Sequence, residues 1–443
     1  MNIKISYCLA CFTLGMIILN PAAGQPAKEI LNSSVSIASI NPADENFSDL
    51  QPLKKYIGNS RVVVLGEISH DDGSSFQAKS RLVKFLHKEM GFDVLAWEAG
   101  MLDCWMMNKA FENNTPLDEA KTFFMKGGWD NSEFISPVFE YIRHTWSSSR
   151  PLYNAGFDVA RPPKGAENIL LIIKDIKSKL NTETIDQNWL FADSLIKAVC
   201  GYIGNSYSNA ISESGVKKAE RYLTVLHDSV NKKIEILKEE DSEMEHKRFF
   251  FQSLIYDTEI WKCMKYMSNR TWNLIRDNVM GERFNWILEK MYPGKKIIVW
   301  AATAHLIRNS HYITRPSGKT MNNFVYMGQY IHNLLKDDMY TIAFTTYGGE
   351  RGMLFKEGDR RKNNEYKTKI EEPLSESYES FAHTTNKKFL FTDLKNQSRR
   401  SWLKNIFIAR PLGYIQDKAK WSDVIDAFFF IDTMQPDQMI LDQ

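Results

Sequence analysis

The sequence predicts an α/β fold with a mostly parallel central sheet flanked by helices and a large helical insertion or cap. Three observations predict it. Short β-branched runs stand between turn residues and end in ionisable side chains, as buried parallel strands do. The first two runs bracket a helical stretch, which makes a βαβ unit with a right-handed crossover. From about residue 164 to 292 the chain keeps helical periodicity and has little strand signal.

At the amino terminus, Lys4 precedes the apolar run from Ile5 to Leu19, which is too short to span a bilayer, and small residues Asn20 to Gly24 follow. This is the pattern of an export signal. Residues 1–24 are expected to be removed and the remainder to be secreted or periplasmic in a bacterium. Cys11 lies inside the apolar run rather than after it, so simple secretion ranks above a lipid anchor. No later segment has the length and apolarity of a membrane helix. Residues 25–48 form a polar lead, and the α/β domain is expected over 49–443.

The first strand is Arg61 to Glu67, followed by the loop Ile68-Ser69-His70-Asp71-Asp72-Gly73. Ser74 or Ser75 can cap the next helix, on which Leu82, Val83, Leu86 and Met90 share a face and Gly91 supplies the stop. Phe92 to Glu98 is the second strand. Further strands are read at Pro151 to Asp158, Lys295 to Ala301 and Met339 to Thr346, the last closed by Gly348-Gly349. Ala427 to Asp432 reads as the final strand. The periodicity of Trp272, Ile275 and Val279, ended by Pro293-Gly294, belongs to the helical insertion at about 164–292.

Composition narrows the function. With 43% apolar letters, 12% aromatics and a net charge of +2, the chain is an ordinary globular protein, and disorder, collagen and coiled coil are excluded. There is no cationic surplus to condense on a phosphate backbone, so neither nucleic acid nor an acidic membrane is expected as partner. Beyond the signal, Cys104, Cys200 and Cys263 show no CxxC or Cys/His spacing. That leaves no zinc module and favours three buried free thiols over one disulfide and a free thiol.

Function in open α/β sheets collects beyond the carboxyl ends of the strands. Four strands end there in ionisable groups: Glu67 with His70, then Glu98, Asp158 and His305. If these strands are neighbours, the groups share one cleft suited to general acid/base work or to metal binding. A carboxylate on one nitrogen of His70 fixes its tautomer and raises the basicity of the other, allowing it to deprotonate water. Duller readings compete. Glu-Ile-Ser-His is a spacing coincidence of a common kind, Asp158 can cap the turn at Arg161-Pro162-Pro163, and His305 can be a satisfied core histidine. Glu98 is the better signal, because a carboxylate next to Trp97 in a buried strand is costly without partners. His87, His144, His227, His246, His311, His332 and His383 are read as surface residues. No GxSxG elbow, phosphate loop, GxGxxG fingerprint or HExxH helix occurs.

Taken in order, Gly66-Glu67-Ile68-Ser69-His70, Glu98, Ala155-Gly156-Phe157-Asp158, Arg276 to Met280, Trp300 to His305, Met327-Gly328 and Gly348-Gly349 form a pattern that resembles the erythromycin esterase family. The likeness spans most of the chain beyond Leu53. It implies an α/β core with a helical portion and a cofactor-free hydrolase that opens a lactone with histidine-activated water. His70 matches the family's water-activating histidine, Glu67 and Glu98 its essential carboxylates, and His305 the second histidine of its late segment. There are departures. Ala302 and Thr303 stand where histidine and asparagine are usual, and Lys79, with Arg81 nearby, where arginine is expected. Asp71-Asp72 replaces small residues, adding negative charge at the mouth.

The resulting expectation is a carboxylic ester or lactone hydrolase with His70, Glu67, Glu98 and His305 as catalytic residues. Lys79, Arg81, Asp158 and Arg276 are candidates for substrate binding, although an Arg276-Asp277 pair on a helix is more often a surface ion pair of about half a kcal/mol. Two rivals remain: a metal-dependent hydrolase with Glu67, His70, Glu98 and His305 as ligands, and a non-catalytic binding protein.

Overall fold

A computed structural model describes residues 21–124, 129–158, 269–321 and 324–440, with scattered helical positions between 214 and 250. Most of the expected export signal and of the helical insertion lies outside them, as do Cys200, Cys263, His227 and the turn at Arg161-Pro162-Pro163. Strands are β1 (Ser34–Ser36), β2 (Val62–Glu67), β3 (Phe92–Gly100), β4 (Tyr153–Asp158), β5 (Lys296–Ala302), β6 (Met339–Phe355), β7 (Tyr366–Ile370), β8 (Phe389–Asp393), β9 (Phe407–Leu412), β10 (Ile415–Ala419), β11 (Ala427–Met434) and β12 (Asp437–Met439). The longer helices are α1 (Pro21–Asn32), α2 (Gly73–Met90), α3 (Met101–Glu112), α4 (Ser136–Thr145), α5 (Asn269–Trp286) and α6 (Met327–Leu335).

The main sheet runs β1-β8-β11-β6-β2-β5-β3-β4, and from β11 to β4 every pairing is parallel. β1 and β8 add antiparallel strands at one edge. The fold is therefore α/β with a mostly parallel sheet, as the strand grammar predicts. Its two faces bury separate cores, because successive side chains of a strand point to opposite sides. Phe429 and Ile431 join Val63, Trp97 and Trp300 on one face, while Phe428 and Phe430 meet Tyr378 and Trp421 on the other. Both faces being apolar is what makes the strands read as unbroken hydrophobic runs. Among the described residues, no helix is long and apolar enough to cross a membrane.

Several expectations are corrected. β6 does not close at Gly348-Gly349 but continues to Phe355. Gly349 and Gly352, at φ +105° and +145°, let the strand bend instead of stop, and its far half pairs with β7 and β12. A Cβ on Gly349 would lie 2.2 Å from the Met434 carbonyl. β11 is not the last strand, since β12 follows it. The short β1, β7, β8, β9 and β10 were not expected; β7 is exposed at all but Ile370 and offers no apolar run to read, while β8 and β9 are buried but only five and six residues long. The polar lead is built into the fold, with β1 paired to β8. Neither Ser74 nor Ser75 caps α2, which starts at Gly73 after Asp72, although Gly91 ends it in the left-handed conformation as expected. His87 is buried rather than on the surface, its Nδ1 2.6 Å from the Tyr141 hydroxyl, and burial drives its pKa down to about 4. Cys104 is a buried free thiol.

Candidate active site

The order β2-β5-β3-β4 makes neighbours of the strand that ends in Glu67, the one that leads to His305 just beyond Ala302, the one that carries Glu98 near its end, and the one that ends in Asp158. Registers align their ends: Glu67 opposes Ala302, Trp97 opposes Trp300, and Gly100 opposes Asp158 across a bulge in β3. β2 and β5 approach so closely here that a Cβ on Gly66 would sit 2.6 Å from the Thr303 hydroxyl. That hydroxyl donates to the Gly66 carbonyl at 2.7 Å. The glycine before Glu67 thus lets the chain leave β5 towards His305 directly over the end of β2.

Glu98 is the centre of the cluster. Its Oε1 lies 3.6 Å from Nε2 of His70 and 3.5 Å from Nε2 of His305, and it accepts a bond from Arg276 Nη2 at 2.8 Å. Its Oε2 accepts from the Ala302 backbone N–H at 3.0 Å. His70 Nδ1 stands 3.0 Å from Glu67 Oε1, and the other Glu67 oxygen is bonded by Lys79. Lys79 is fully buried, with its ammonium 4.2 Å from the centroid of the Trp300 ring. Arg276 is buried and forks onto Asp158 at 2.8 and 2.6 Å. Asp277, next to it on α5, takes His305 Nδ1 at 2.9 Å. The carboxylates are buried, whereas the His70 side chain is 44% exposed, edge-on to Trp129 at 5.4 Å. His70 is therefore the group of this cluster that faces solvent.

The charges explain the titration. Burial presses His70 toward neutrality, but the Glu98 charge and the hydrogen bond to Glu67 outweigh it and push the pKa up to about 10. Water at the exposed edge screens part of that rise. Burial raises Glu98, yet the His305 and His70 charges and Arg276 hold it well below the usual carboxylate range. Lys79 is lowered to about 8 by burial, against the pull of Glu67. His305 is depressed by burial and raised more by Asp277 and Glu98. Its hydrogen bond from Arg276 Nη1 to Nε2, at 3.0 Å, exists only for the neutral ring. The bond and the protonated ring exclude each other, so protonating His305 means giving up Arg276 and turning Nε2–H onto Glu98.

The structure brings His70, Glu67, Glu98 and His305 into one cluster, with Lys79, Asp158 and Arg276 behind it. It does not bring Arg81 there. The Arg81 guanidinium bonds both oxygens of Asp49 and the carbonyls of Ser39, Asp44 and Asn46, tying α2 to the polar lead. Arg276 is not a surface pair, because three of its bonds are to buried carboxylate oxygens. Asp71 and Asp72 do not line the mouth, since both are buried, Asp71 against Arg351 and Tyr366, and burial raises Asp72 to about 8. Asp277, the Ala302 N–H and Trp129 were not singled out from the sequence. Adjacency to Arg276 is the one available sign for Asp277, and a backbone donor leaves none.

Glu67, His70 and Glu98 each offer one ligand atom, and these lie within 4.8 Å of one another, which is a donor set a cation could use. His305 stands outside that set. Lys79 on Glu67 and Arg276, which Glu98 shares with Asp158, supply only part of the counter-charge that these buried carboxylates call for, and a protonated imidazole or a cation would add to it.

The erythromycin esterase family model matches residues 87–434, which begins after Glu67 and His70. YbfO of Bacillus subtilis, whose description as a hydrolase is itself provisional, is 25% identical over 90% of both chains. An erythromycin esterase type II of Escherichia coli is 23% identical, covering 73% of this chain and 77% of its own. Among solved structures, a Bacillus cereus protein superposes with a TM-score of 0.73 at 17% identity, over 94% of this chain and 99% of that one. The erythromycin esterase EreC, as a variant in its open conformation, gives 0.65 at 17% identity, over 91% and 98%. At these identities the superpositions establish the fold. The chain belongs to the erythromycin esterase family and is, by that membership, a hydrolase.

Proposed function

We propose that the protein hydrolyses a carboxylic ester or lactone by attack of water activated at His70. The observation that carries this reading is a solvent-facing imidazole held between two buried carboxylates at the carboxyl end of a parallel sheet. Glu67 receives Nδ1–H and fixes the ring, so that Nε2 takes the proton from water as its oxygen attacks the carbonyl carbon. Glu98 stabilises the imidazolium that results. That proton is then available to the alkoxide as the tetrahedral intermediate collapses, which leaves acid and alcohol as products and the enzyme unchanged. His305, held by Asp277, assists at the same carboxylate. Because the resting ring is protonated at neutral pH, the base form grows as the solution becomes alkaline. We also read residues 1–24 as an export signal, which amino-terminal sequencing of the mature protein tests.

The test is a panel of ester and lactone substrates with wild type and His70→Ala, with and without a chelator. Turnover by wild type that survives chelation and is lost in His70→Ala supports the reading. Equal rates for the two proteins remove it, and loss of wild-type activity on chelation favours a metal on Glu67, His70 and Glu98.

A further inference from the structure

β9 and β10 form a two-stranded hairpin outside the main sheet, joined by Gly413-Tyr414, with Leu412 paired to Ile415. Both turn residues have φ +65°. A two-residue hairpin turn of this hand takes glycine or asparagine, because any other side chain in the left-handed region crowds its own backbone. An aromatic residue there is an outlier that costs about 1–2 kcal/mol. Such strain persists where the surroundings hold it, and it gathers at functional sites.

What holds Tyr414 is Asp72. The Tyr414 hydroxyl donates to Asp72 Oδ1, and Asp72 Oδ2 accepts the Ser69 backbone N–H at 2.8 Å. Asp72 thus closes the Ser69 to Asp72 turn from inside, and His70 projects from that turn. Neighbouring elements grip the same four residues. Arg351, 5.4 Å from the Tyr414 ring centroid, reaches Asp71 Oδ2 at 3.3 Å, and the Tyr366 hydroxyl donates to that oxygen at 3.1 Å. The Gly352 and Asp437 N–H groups donate to the Asp71 carbonyl at 3.2 and 3.3 Å. No strand of the catalytic end supplies these contacts. They come from the bent half of β6, from β7, from β12 and from the hairpin.

We propose that Tyr414 is a positioning residue for His70: through Asp72 it locks the Ser69 to Asp72 turn, so that the imidazole stays between Glu67 and Glu98. This rests on the reading of His70 as the base that activates water. The hairpin turn carries tyrosine because glycine or asparagine, though unstrained there, cannot reach Asp72 from the turn. The strain in the turn is thereby coupled to the geometry of a site whose strands belong to the main sheet, apart from the hairpin.

Two variants test it. Tyr414→Phe keeps the ring over Arg351 and removes the hydroxyl, while Tyr414→Gly also relieves the backbone, so at least one should fold. Two readouts are taken. Steady-state kinetics on an ester that wild type hydrolyses should show kcat lower by about ten- to a hundredfold, as expected for a misplaced catalytic group, with KM nearly unchanged. The 15N signals of the His70 ring, read without turnover, should change from one tautomer with the proton on Nδ1 in alkaline solution to a mixture. Wild-type kcat and an unchanged His70 ring spectrum in the folded variants overturn the proposal, even if His70→Ala is inactive. If no ester or lactone is turned over by wild type, the hydrolase reading fails, and the ring spectrum alone decides whether Tyr414 positions His70.

Discussion

Replacing Glu98 by glutamine keeps the shape of the side chain and removes the charge that lies 3.6 Å from His70 Nε2. Two unit charges at that separation attract by about 5 kcal/mol at an effective dielectric near 20, and by about 1 kcal/mol in water. One pH unit corresponds to about 1.4 kcal/mol, so the His70 ring should lose its proton about one to three pH units lower. The ring is 44% exposed, which places the result nearer one than three. The sign follows from the resting state. Wild-type His70 is pushed up to about 10, so kcat/KM should climb through the alkaline range as the free base appears. In Glu98→Gln the climb should come at lower pH, while the plateau falls because the forming imidazolium has lost a counter-charge. The glutamine amide must also set an N–H against either the Ala302 N–H or Arg276, an unmet pairing worth about 1–3 kcal/mol of stability. The assay is kcat/KM against pH for both proteins, with the His70 ring titrated by NMR. A rising limb that stays in place, or moves upward, refutes the argument that Glu98 sets the basicity of His70.

Arg81→Ala should lower stability by about 3–5 kcal/mol, since it strands Asp49 and unties the polar lead, yet leave KM and kcat of the folded protein unchanged. A large rise in KM with intact stability would return Arg81 to substrate binding. Gly66→Ala drives a Cβ into Thr303 and should cost about 1–3 kcal/mol, with a loss of kcat as the end of β2 shifts under Glu67. Full activity at wild-type melting temperature contradicts the close approach.

Much of the site can be read along the chain, because Glu67, Glu98, Asp158 and His305 each follow an apolar run that could only be a buried strand. A charge at such a place is costly without partners, and that alone singles them out. The supporting groups behave differently. Arg81 and Lys79 lie two residues apart on α2, and nothing in their spacing says that one turns to the polar lead and the other to Glu67. Arg276 looks like a surface residue beside Asp277, until α5 is seen packed against β4, from where its side chain bridges Asp158 and Glu98. Short strands such as β7 and the β9–β10 hairpin carry no apolar alternation strong enough to be recognised, so the grip on the His70 turn is invisible in one dimension.

Strand grammar, glycine stops and carboxylates at strand ends are local properties, written in residue type and period, and they suffice to define a parallel sheet with an acidic and histidine-bearing end. Which strands become neighbours, which cation meets which carboxylate, and which distant hairpin seats the His70 turn depend on contacts between residues hundreds of positions apart. Those contacts form only when burial forces each charge to find a partner in three dimensions.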